Sequence, residues 1–221
     1  MALEKTTGKL VWQSERKDAG YSSPVPFRRG DHWYAVFSNE EDYVAADLRT
    51  GKELWRINWP TRYGVNAADP IVVGDQVLIS SGYNKGTALF SVKDDRPSVA
   101  WKNKVLRTQT NSAVLLDGFV FGIGGDAGNQ AQLKCVELKT GTPRWSEPSV
   151  AFGSVKAANG KLIVLSEDGE LMVAPASPEK FAPSAKAKVL DGKCWTVPVL
   201  ANGRVYCRNA AGDLVCVDLN R

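Results

Sequence analysis

The stretch Ala46-Asp47-Leu48-Arg49-Thr50-Gly51-Lys52-Glu53-Leu54-Trp55 decides the fold, because it recurs. It stands earlier as Leu3-Glu4-Lys5-Thr6-Thr7-Gly8-Lys9-Leu10-Val11-Trp12 and later as Val136-Glu137-Leu138-Lys139-Thr140-Gly141-Thr142-Pro143-Arg144-Trp145. In all three an acidic residue precedes Trp by eight positions, with Thr-Gly between them. A fourth copy, Pro97-Ser98-Val99-Ala100-Trp101, keeps the Trp alone. Trp12, Trp55, Trp101 and Trp145 are thus 43, 46 and 44 residues apart. Gly30, Gly74, Gly118, Gly160 and Gly203 keep the same period, at spacings of 44, 44, 42 and 43. A few residues before each glycine lies a third marker: Ser23-Pro24-Val25, Asp69-Pro70-Ile71, Ser112-Ala113-Val114, Ser154-Val155-Lys156 and Val197-Pro198-Val199. Three markers in phase, two of them over five copies and the Trp over four, define a repeat architecture.

Each unit reads as four short strands. In the second they run Pro70 to Val73, Gln76 to Ser80, Ala88 to Val92 and Ser98 to Lys102, broken by Gly-, Asn- and Asp-rich turns. Such runs are hairpin signals, and no stretch sustains helical periodicity with caps. Four strands per unit of about 43 residues are propeller blades, the architecture that WD40 repeats also build. The expected fold is all-β, a single propeller domain over residues 1–221 with five repeats of four-stranded antiparallel blades. The blades fall at about 22–57, 69–103, 111–147 and 153–189, with a fifth made from 196–221 plus 9–14. Asp218 holds the repeat position of Glu4, 214 residues or five periods of 42.8 later. The last unit lacks a fourth strand and the chain begins with an orphan one. Pairing the two completes a blade and removes two sheet edges. An open array is the alternative.

Composition narrows the function. The 221 residues carry 28 Lys and Arg against 24 Asp and Glu, a net charge of +4 with no basic stripe, so nucleic acid is not the expected partner. No apolar run approaches the roughly 20 residues that span a bilayer. Met1-Ala2-Leu3-Glu4-Lys5 lacks the charged and apolar regions of a secretory signal, and the sequence itself assigns no compartment. One His and four scattered Cys leave little for a metal site, so neither metal nor cofactor is expected.

The repeat's tryptophans suit an outer strand, where a large ring covers the gap between blades and its N–H finds a backbone carbonyl. Gly8, Gly51 and Gly141 permit the positive φ of the hairpin that precedes each Trp. The fourth unit departs, with Pro175, Pro178 and Pro183 predicting a stiff, exposed connection in place of a tight hairpin. The pattern aliphatic-acidic-x-x-Thr-Gly-x-x-x-Trp, preceded by x-Pro-Val and a Gly-Asp turn, resembles the pyrroloquinoline-quinone-like (quinoprotein-type) β-propeller repeat. It is also similar to bacterial outer-membrane assembly propellers of the BamB type. The resemblance covers essentially the whole chain and implies a fold rather than an activity. The superfamily holds quinone-dependent dehydrogenases and non-catalytic scaffolds, most with seven or eight blades. Five here is a departure that fits a part of a longer exported protein. A periplasmic or other extracytoplasmic location is implied by the resemblance alone.

A quinoprotein dehydrogenase holds its cofactor beside Ca²⁺, on carboxylate and carbonyl oxygens, with an Asp as base and often a Cys-Cys disulfide. This sequence has no Cys-Cys pair, and its acids fall in turns or at the repeat position; Asp69 alone does not make a site. The lone His32 sits in an expected turn without a nucleophile elbow. Gly122-Ile123-Gly124-Gly125 has no following helix and reads as a loop joining strands rather than as a dinucleotide loop.

Binding fits better. Connections from one blade's last strand to the next blade's first gather at one mouth of a propeller's channel. Here they carry Tyr21, Arg62, Tyr63, Asn66, Arg107, Gln109, Asn111, Lys193 and Trp195, side chains able to orient a polar ligand or anchor a peptide. They can equally pair with one another and close a narrow axis. If Ala211-Gly212 is a two-residue turn, Cys207 and Cys216 face each other as a possible disulfide or, more simply, two small buried hydrophobes. The expectation is a non-catalytic scaffold for protein–protein interaction or small-ligand binding, monomeric if the ring closes. The alternative is a quinoprotein-type dehydrogenase, or a fragment of one, with catalytic residues outside this chain.

Overall fold

A computed structural model describes residues 1–14 and 18–219. The second unit folds close to its reading, as strands β7 (Ile71–Val73), β8 (Gln76–Ser81), β9 (Gly86–Ser91) and β10 (Ser98–Asn103) in one antiparallel sheet. The other complete sheets have the same up-and-down order. They are β3 (Val25–Arg29), β4 (His32–Ser38), β5 (Asp42–Asp47) and β6 (Glu53–Asn58); β11 (Val114–Leu116), β12 (Phe119–Asp126), β13 (Asn129–Glu137) and β14 (Pro143–Glu147); and β15 (Ser154–Ala158), β16 (Lys161–Leu165), β17 (Glu170–Pro175) and β18 (Ala185–Lys188). First strands of successive sheets approach one another, β3 with β7 and β11 with β15. They therefore lie on the axis side, and the architecture is a β-propeller of four-stranded blades.

The blades pack face to face through alternating side chains. Val36, Tyr43, Trp55 and Ile57 of the first blade bury against Val77, Ile79, Ala88 and Phe90 of the second. Leu78 and Leu89 on the other face of the second blade meet Val120 and Val136 of the third. The Tyr43 hydroxyl donates to the Ala68 carbonyl at 3.2 Å, and burial pushes its pKa well up. A strand between two apolar faces has side chains of both parities buried, as in Asp42–Asp47.

The Thr-Gly turn is one structure built three times. The acidic residue's N–H donates to the carbonyl of Lys9, Lys52 or Thr142, and the glycine N–H returns to the acidic residue's carbonyl, all at 2.8–2.9 Å. Gly8, Gly51 and Gly141 stand at φ of 70, 74 and 72°. Three of the repeat's tryptophans reach the next blade as expected: Trp12 and Trp145, which follow such a turn, and Trp101, which follows a different one, donate to the carbonyls of Leu48, Ser177 and Leu138 at 2.9, 2.9 and 2.8 Å. In the fourth blade the proline-bearing link from Pro175 to Ala185 is exposed for most of its length. Phe181 within it covers the Trp145 ring at 5.9 Å.

Three expectations change. The sixth group of strands, β19 (Val199–Ala201), β20 (Arg204–Arg208) and β21 (Leu214–Asp218), has three members, and Leu10–Trp12 does not pair with it among the described residues. Leu10–Trp12 (β2) pairs instead with Ala2–Leu3 (β1), giving a separate two-stranded sheet. The reason is local: Ala2 and Leu3 occupy the repeat position of a blade's third strand, so Trp12 has a hairpin partner of its own. Closing that short turn costs far less chain entropy than joining the two ends of the chain. Second, Cys207 lies opposite Val215 and Cys216 opposite Tyr206, because the connecting loop has five residues and not two. Asn209 clamps it, donating Nδ2 to Asp213 Oδ2 at 2.6 Å and accepting the Asp213 N–H at 2.9 Å. One residue of register turns Cys216 outward while Cys207 stays buried, and all four cysteines are free. Burial pushes the Cys135 and Cys207 thiols up to about 11. Third, Gly122-Ile123-Gly124-Gly125 is the interior of β12. Its glycines are required by neighbours: a Cβ on Gly122 would meet Ala113 at 2.7 Å, and one on Gly124 the Val105 carbonyl at 2.8 Å.

Candidate functional site

At one end of the blades, the turns between second and third strands meet the connections that lead from one blade to the next. Main-chain hydrogen bonds bind the two sets. Glu40 N–H donates to the Asp18 carbonyl at 3.0 Å, Trp59 N–H to Glu41 at 2.7 Å and Cys194 N–H to Glu167 at 2.8 Å. Side chains do the same work elsewhere: Ala127 N–H donates to Gln109 Oε1 at 3.0 Å, and Tyr83 N–H to Asp126 Oδ1 at 2.7 Å. The result is a face whose backbone is held by contacts between blades.

The expected binding residues divide on this face. Asn66 is fully buried; its Nδ2 donates to the carbonyls of Asn39, Glu40 and Trp59 at 3.2, 3.0 and 3.1 Å, and its Oδ1 accepts from Ser81 Oγ at 2.9 Å. Asn111 is also buried and donates to the Gly153 carbonyl at 2.9 Å. These two join blades, as does Gln109, whose stem packs on Gly82. Arg107 is half-buried, with its backbone bridged to Gly124.

The remaining residues present themselves outward. Tyr21 is 73% exposed and Tyr63 59%. The Tyr63 ring stands edge-on to Tyr83 at 4.9 Å, with the Arg62 guanidinium 5.2 Å from its centroid. Trp195 is oriented by three contacts: Phe152 edge-on at 5.2 Å, the Lys193 ammonium at 5.0 Å and a hydrogen bond to Glu167 Oε1 at 3.0 Å. Tyr83 and Lys85 were not singled out in the sequence. Their signal was the turn Gly82-Tyr83-Asn84-Lys85-Gly86, where Tyr83 and Asn84 both take positive φ, 53 and 61°. A hairpin turn of this kind normally carries Asn-Gly. Tyr in its first place is a strained choice, held by the Asp126 bond.

The two residues considered for catalysis, Asp69 and His32, stand apart. Asp69 accepts the Ser23 N–H at 2.7 Å and its own N–H donates to Ser112 Oγ at 2.9 Å, so it ties three blades together. His32 opens strand β4, exposed, 6.5 Å from the Tyr34 ring. A calcium-held quinone needs convergent carboxylates. Among the described residues no three His, Cys, Asp or Glu side chains come together in a way that could hold a metal ion, so this chain's donors do not fit that group. No helix among the described residues is long and apolar enough to cross a membrane.

Residues 1–147 match the family described as outer membrane protein assembly factor BamB. The chain belongs to that family. No curated protein matches the chain. Among solved structures it is similar to BamB from Moraxella catarrhalis, with a TM-score of 0.70 at 16% identity over 97% of this chain and 65% of that one. It also resembles a chain of the mitotic checkpoint complex (TM-score 0.66, 9% identity, 89% of this chain and 64% of that one). A third likeness is the computationally designed Ika8 protein (TM-score 0.64, 10% identity, 95% and 62%). The chain thus spans less than two thirds of the length of these structures. Identities this low speak for the shared fold alone. Membership of the BamB family and the all-β propeller agree with the resemblance read from the Thr-Gly-Trp repeat.

Proposed function

We propose that this chain is a non-catalytic scaffold that holds a partner protein during outer-membrane protein assembly, as the BamB family's name describes, in the periplasm. Its blades act as one domain, and the partner sits on the loop face through Tyr21, Arg62, Tyr63, Lys193 and Trp195. One observation carries the reading: Tyr63 and Trp195 are exposed yet held in fixed orientations by aromatic and cationic neighbours. Exposed rings already ordered before binding lose little entropy on contact, and Tyr, Trp and Arg dominate interface energetics. A small polar ligand is less well supported. The groove of about 670 Å³ lies against the N-terminal hairpin, lined by residues such as Trp12, Phe37 and Leu48, and none of Arg62, Tyr63, Lys193 and Trp195 lines it.

The test places a photo-crosslinking benzoylphenylalanine at position 63, 195 or 94 in the native host. Asp94 lies in the turn between β9 and β10, at the opposite end of the blades. Adducts of one partner from 63 and 195, and none from 94, are expected. Equal yields at all three, or none, would overturn the reading.

A further inference from the structure

The rim around the second blade, with the third blade's Lys134 beside it, gathers five cations without carboxylate partners among the described residues. Lys85, Lys102, Lys104, Arg107 and Lys134 form no ion pair among the described residues. Some cations elsewhere are neutralised locally: Arg29 by Asp75 and Asp95, Arg56 by Asp42 and Glu53, Lys188 by Asp168 and Asp191. Here like charges are brought together. Trp59, buried between the first and second blades, has its indole N–H on Ser81 Oγ at 3.0 Å and its ring edge-on to Phe90 at 6.2 Å. The Lys85 ammonium lies 4.7 Å and the Lys102 ammonium 5.1 Å from that ring's centroid. One ring therefore holds two ammonium groups.

A second pair lies on the other side of the same blade. The Lys134 stem runs along Gly124, close enough that a Cβ there would meet its Cδ at 2.9 Å, and Arg107 is bridged to the same glycine. Burial, then the neighbouring cation, pulls the Lys85 and Lys134 ammonium groups below the ordinary lysine range, through Lys102 and Arg107 respectively. Lys104 lies between, its Cγ 3.2 Å from where a Cβ on Gly86 would stand. The acids nearby are engaged elsewhere: Asp126 accepts the Tyr83 N–H, and Glu40 packs on Gly64.

We propose that this rim, Lys85 and Lys102 over Trp59 with Lys104, Arg107 and Lys134 beyond, binds an acidic peptide segment of a partner protein. A bare anion needs only one of the two pairs. Two pairs flanking a single blade, next to the exposed Tyr63–Tyr83 rings, match an extended chain that carries carboxylates at intervals and an aromatic or aliphatic residue. An incoming carboxylate relieves the repulsion within each pair, which is where its affinity originates. The inference rests on the loop-face reading above and names the chemistry of the partner that face takes.

The probe is a fluorescein-labelled peptide of alternating Glu and Asp with one central Phe, read by anisotropy at low salt and again at 0.5 M NaCl. Saturable binding that weakens at least tenfold with salt is expected. The Lys85→Glu/Lys102→Glu variant should lose at least another tenfold, and Tyr83→Ala less. The control Lys139→Glu, in the turn between β13 and β14, should bind as the parent chain does. The nitrogen-labelled Trp59 indole N–H should shift on titration, reporting from beneath the two ammonium groups. Unchanged binding by the double variant, equal binding of an oligothymidylate, or displacement by millimolar inorganic phosphate would each overturn the proposal. If the crosslinks from positions 63 and 195 survive in the double variant while the peptide fails to bind, the acidic-segment inference falls and the scaffold reading stands. Absence of the crosslinks in the parent chain, with the peptide still bound by it, would fall on the scaffold reading instead.

Discussion

Trp55 is the exception among the repeat's tryptophans. It is buried, and its indole N–H has no acceptor among the described residues. The second blade, which Trp55 faces, replaces the Thr-Gly turn with Lys93-Asp94-Asp95, where Asp94 and Asp95 take positive φ of 54 and 58°. An unmet buried donor of this kind costs about 1–3 kcal/mol. In the Thr-Gly turns of the first and third blades the glycine, Gly51 or Gly141, is needed twice over: for φ, and for the Trp of the preceding unit. A Cβ on Gly141 would lie 2.7 Å from Trp101 Cε3, while one on Gly160, at a similar φ, would meet nothing within 4 Å. Gly160→Ala should therefore cost about 1 kcal/mol, from backbone strain alone. Gly141→Ala should cost a further ~1–3 kcal/mol by displacing the ring. Urea unfolding of both variants measures the difference, and equal costs would mean that Trp101 retreats freely. Asp47 in the same turn accepts from Arg49 N–H, Thr50 N–H and Thr50 Oγ1 at 2.9, 2.8 and 2.9 Å. The Thr50 bonds hold its carboxyl below the usual carboxylate range. A folded-state pKa below the unfolded one of about 3.9 adds stability that is complete above that value. It is lost as pH falls through the folded value. The melting temperature of Asp47→Asn should lie below that of the parent chain at pH 7, and the gap should close towards pH 2.

Elements set the limit of what could be read in advance. The blade repeat was legible because its markers recurred in phase, and in the second unit, whose strands were read one by one, the boundaries lie within about two residues of those found. Loop length was not legible. Asn209 to Asp213 looks like a strand end around an Ala-Gly turn, yet Asn209 closes a longer loop on Asp213 with both its main-chain N–H and its side chain. A single residue of register then separated two cysteines that the sequence set opposite each other. On the candidate face, Tyr63 and Asn66 looked alike as polar connection residues. Which one is buried depends on the carbonyls of Asn39, Glu40 and Trp59, and so on neighbours that no local pattern records. The cysteine register makes a direct prediction. In the native chain one thiol, Cys216, should react quickly with Ellman's reagent, while buried Cys135, Cys194 and Cys207 wait for unfolding. Mild oxidation should leave the chain without an internal Cys207–Cys216 disulfide, by mass spectrometry after alkylation. Asn209→Ala, at a side chain 4% exposed, should lower stability by about 2–3 kcal/mol and quicken the Cys207 reaction as β20 and β21 slip.

In the whole molecule each blade's stability depends on the faces that cover it, as in other repeat arrays. Between the first and second blades, and on to the fourth, side chains of neighbouring sheets fill the interface. On the outward face of the first blade the cover is thinner. There β1 and β2 leave a groove of about 670 Å³ lined by Trp12, Pro24, Ala35, Phe37, Ala46 and Leu48. Trp12 is the lid: its ring lies where a Cβ on Gly51 would come within 2.5 Å, and its N–H is tied to Leu48. Removing residues 1–14 strips the lid from the first blade and, among the described residues, breaks no strand pairing of the last sheet. Hydrogen exchange on that truncated chain should show protection lost in β3 to β6 and kept in β15 to β21, since local opening follows local cover. The opposite outcome has a definite meaning. Loss of protection in β20 and β21, whose outer edge is open among the described residues, would show that Leu10–Trp12 also serves that sheet in solution. Ala2–Leu3 and Cys216–Val217 hold the same repeat position and would then be rivals for one strand. The ring closure that the period of 42.8 residues suggests would be an exchange between them.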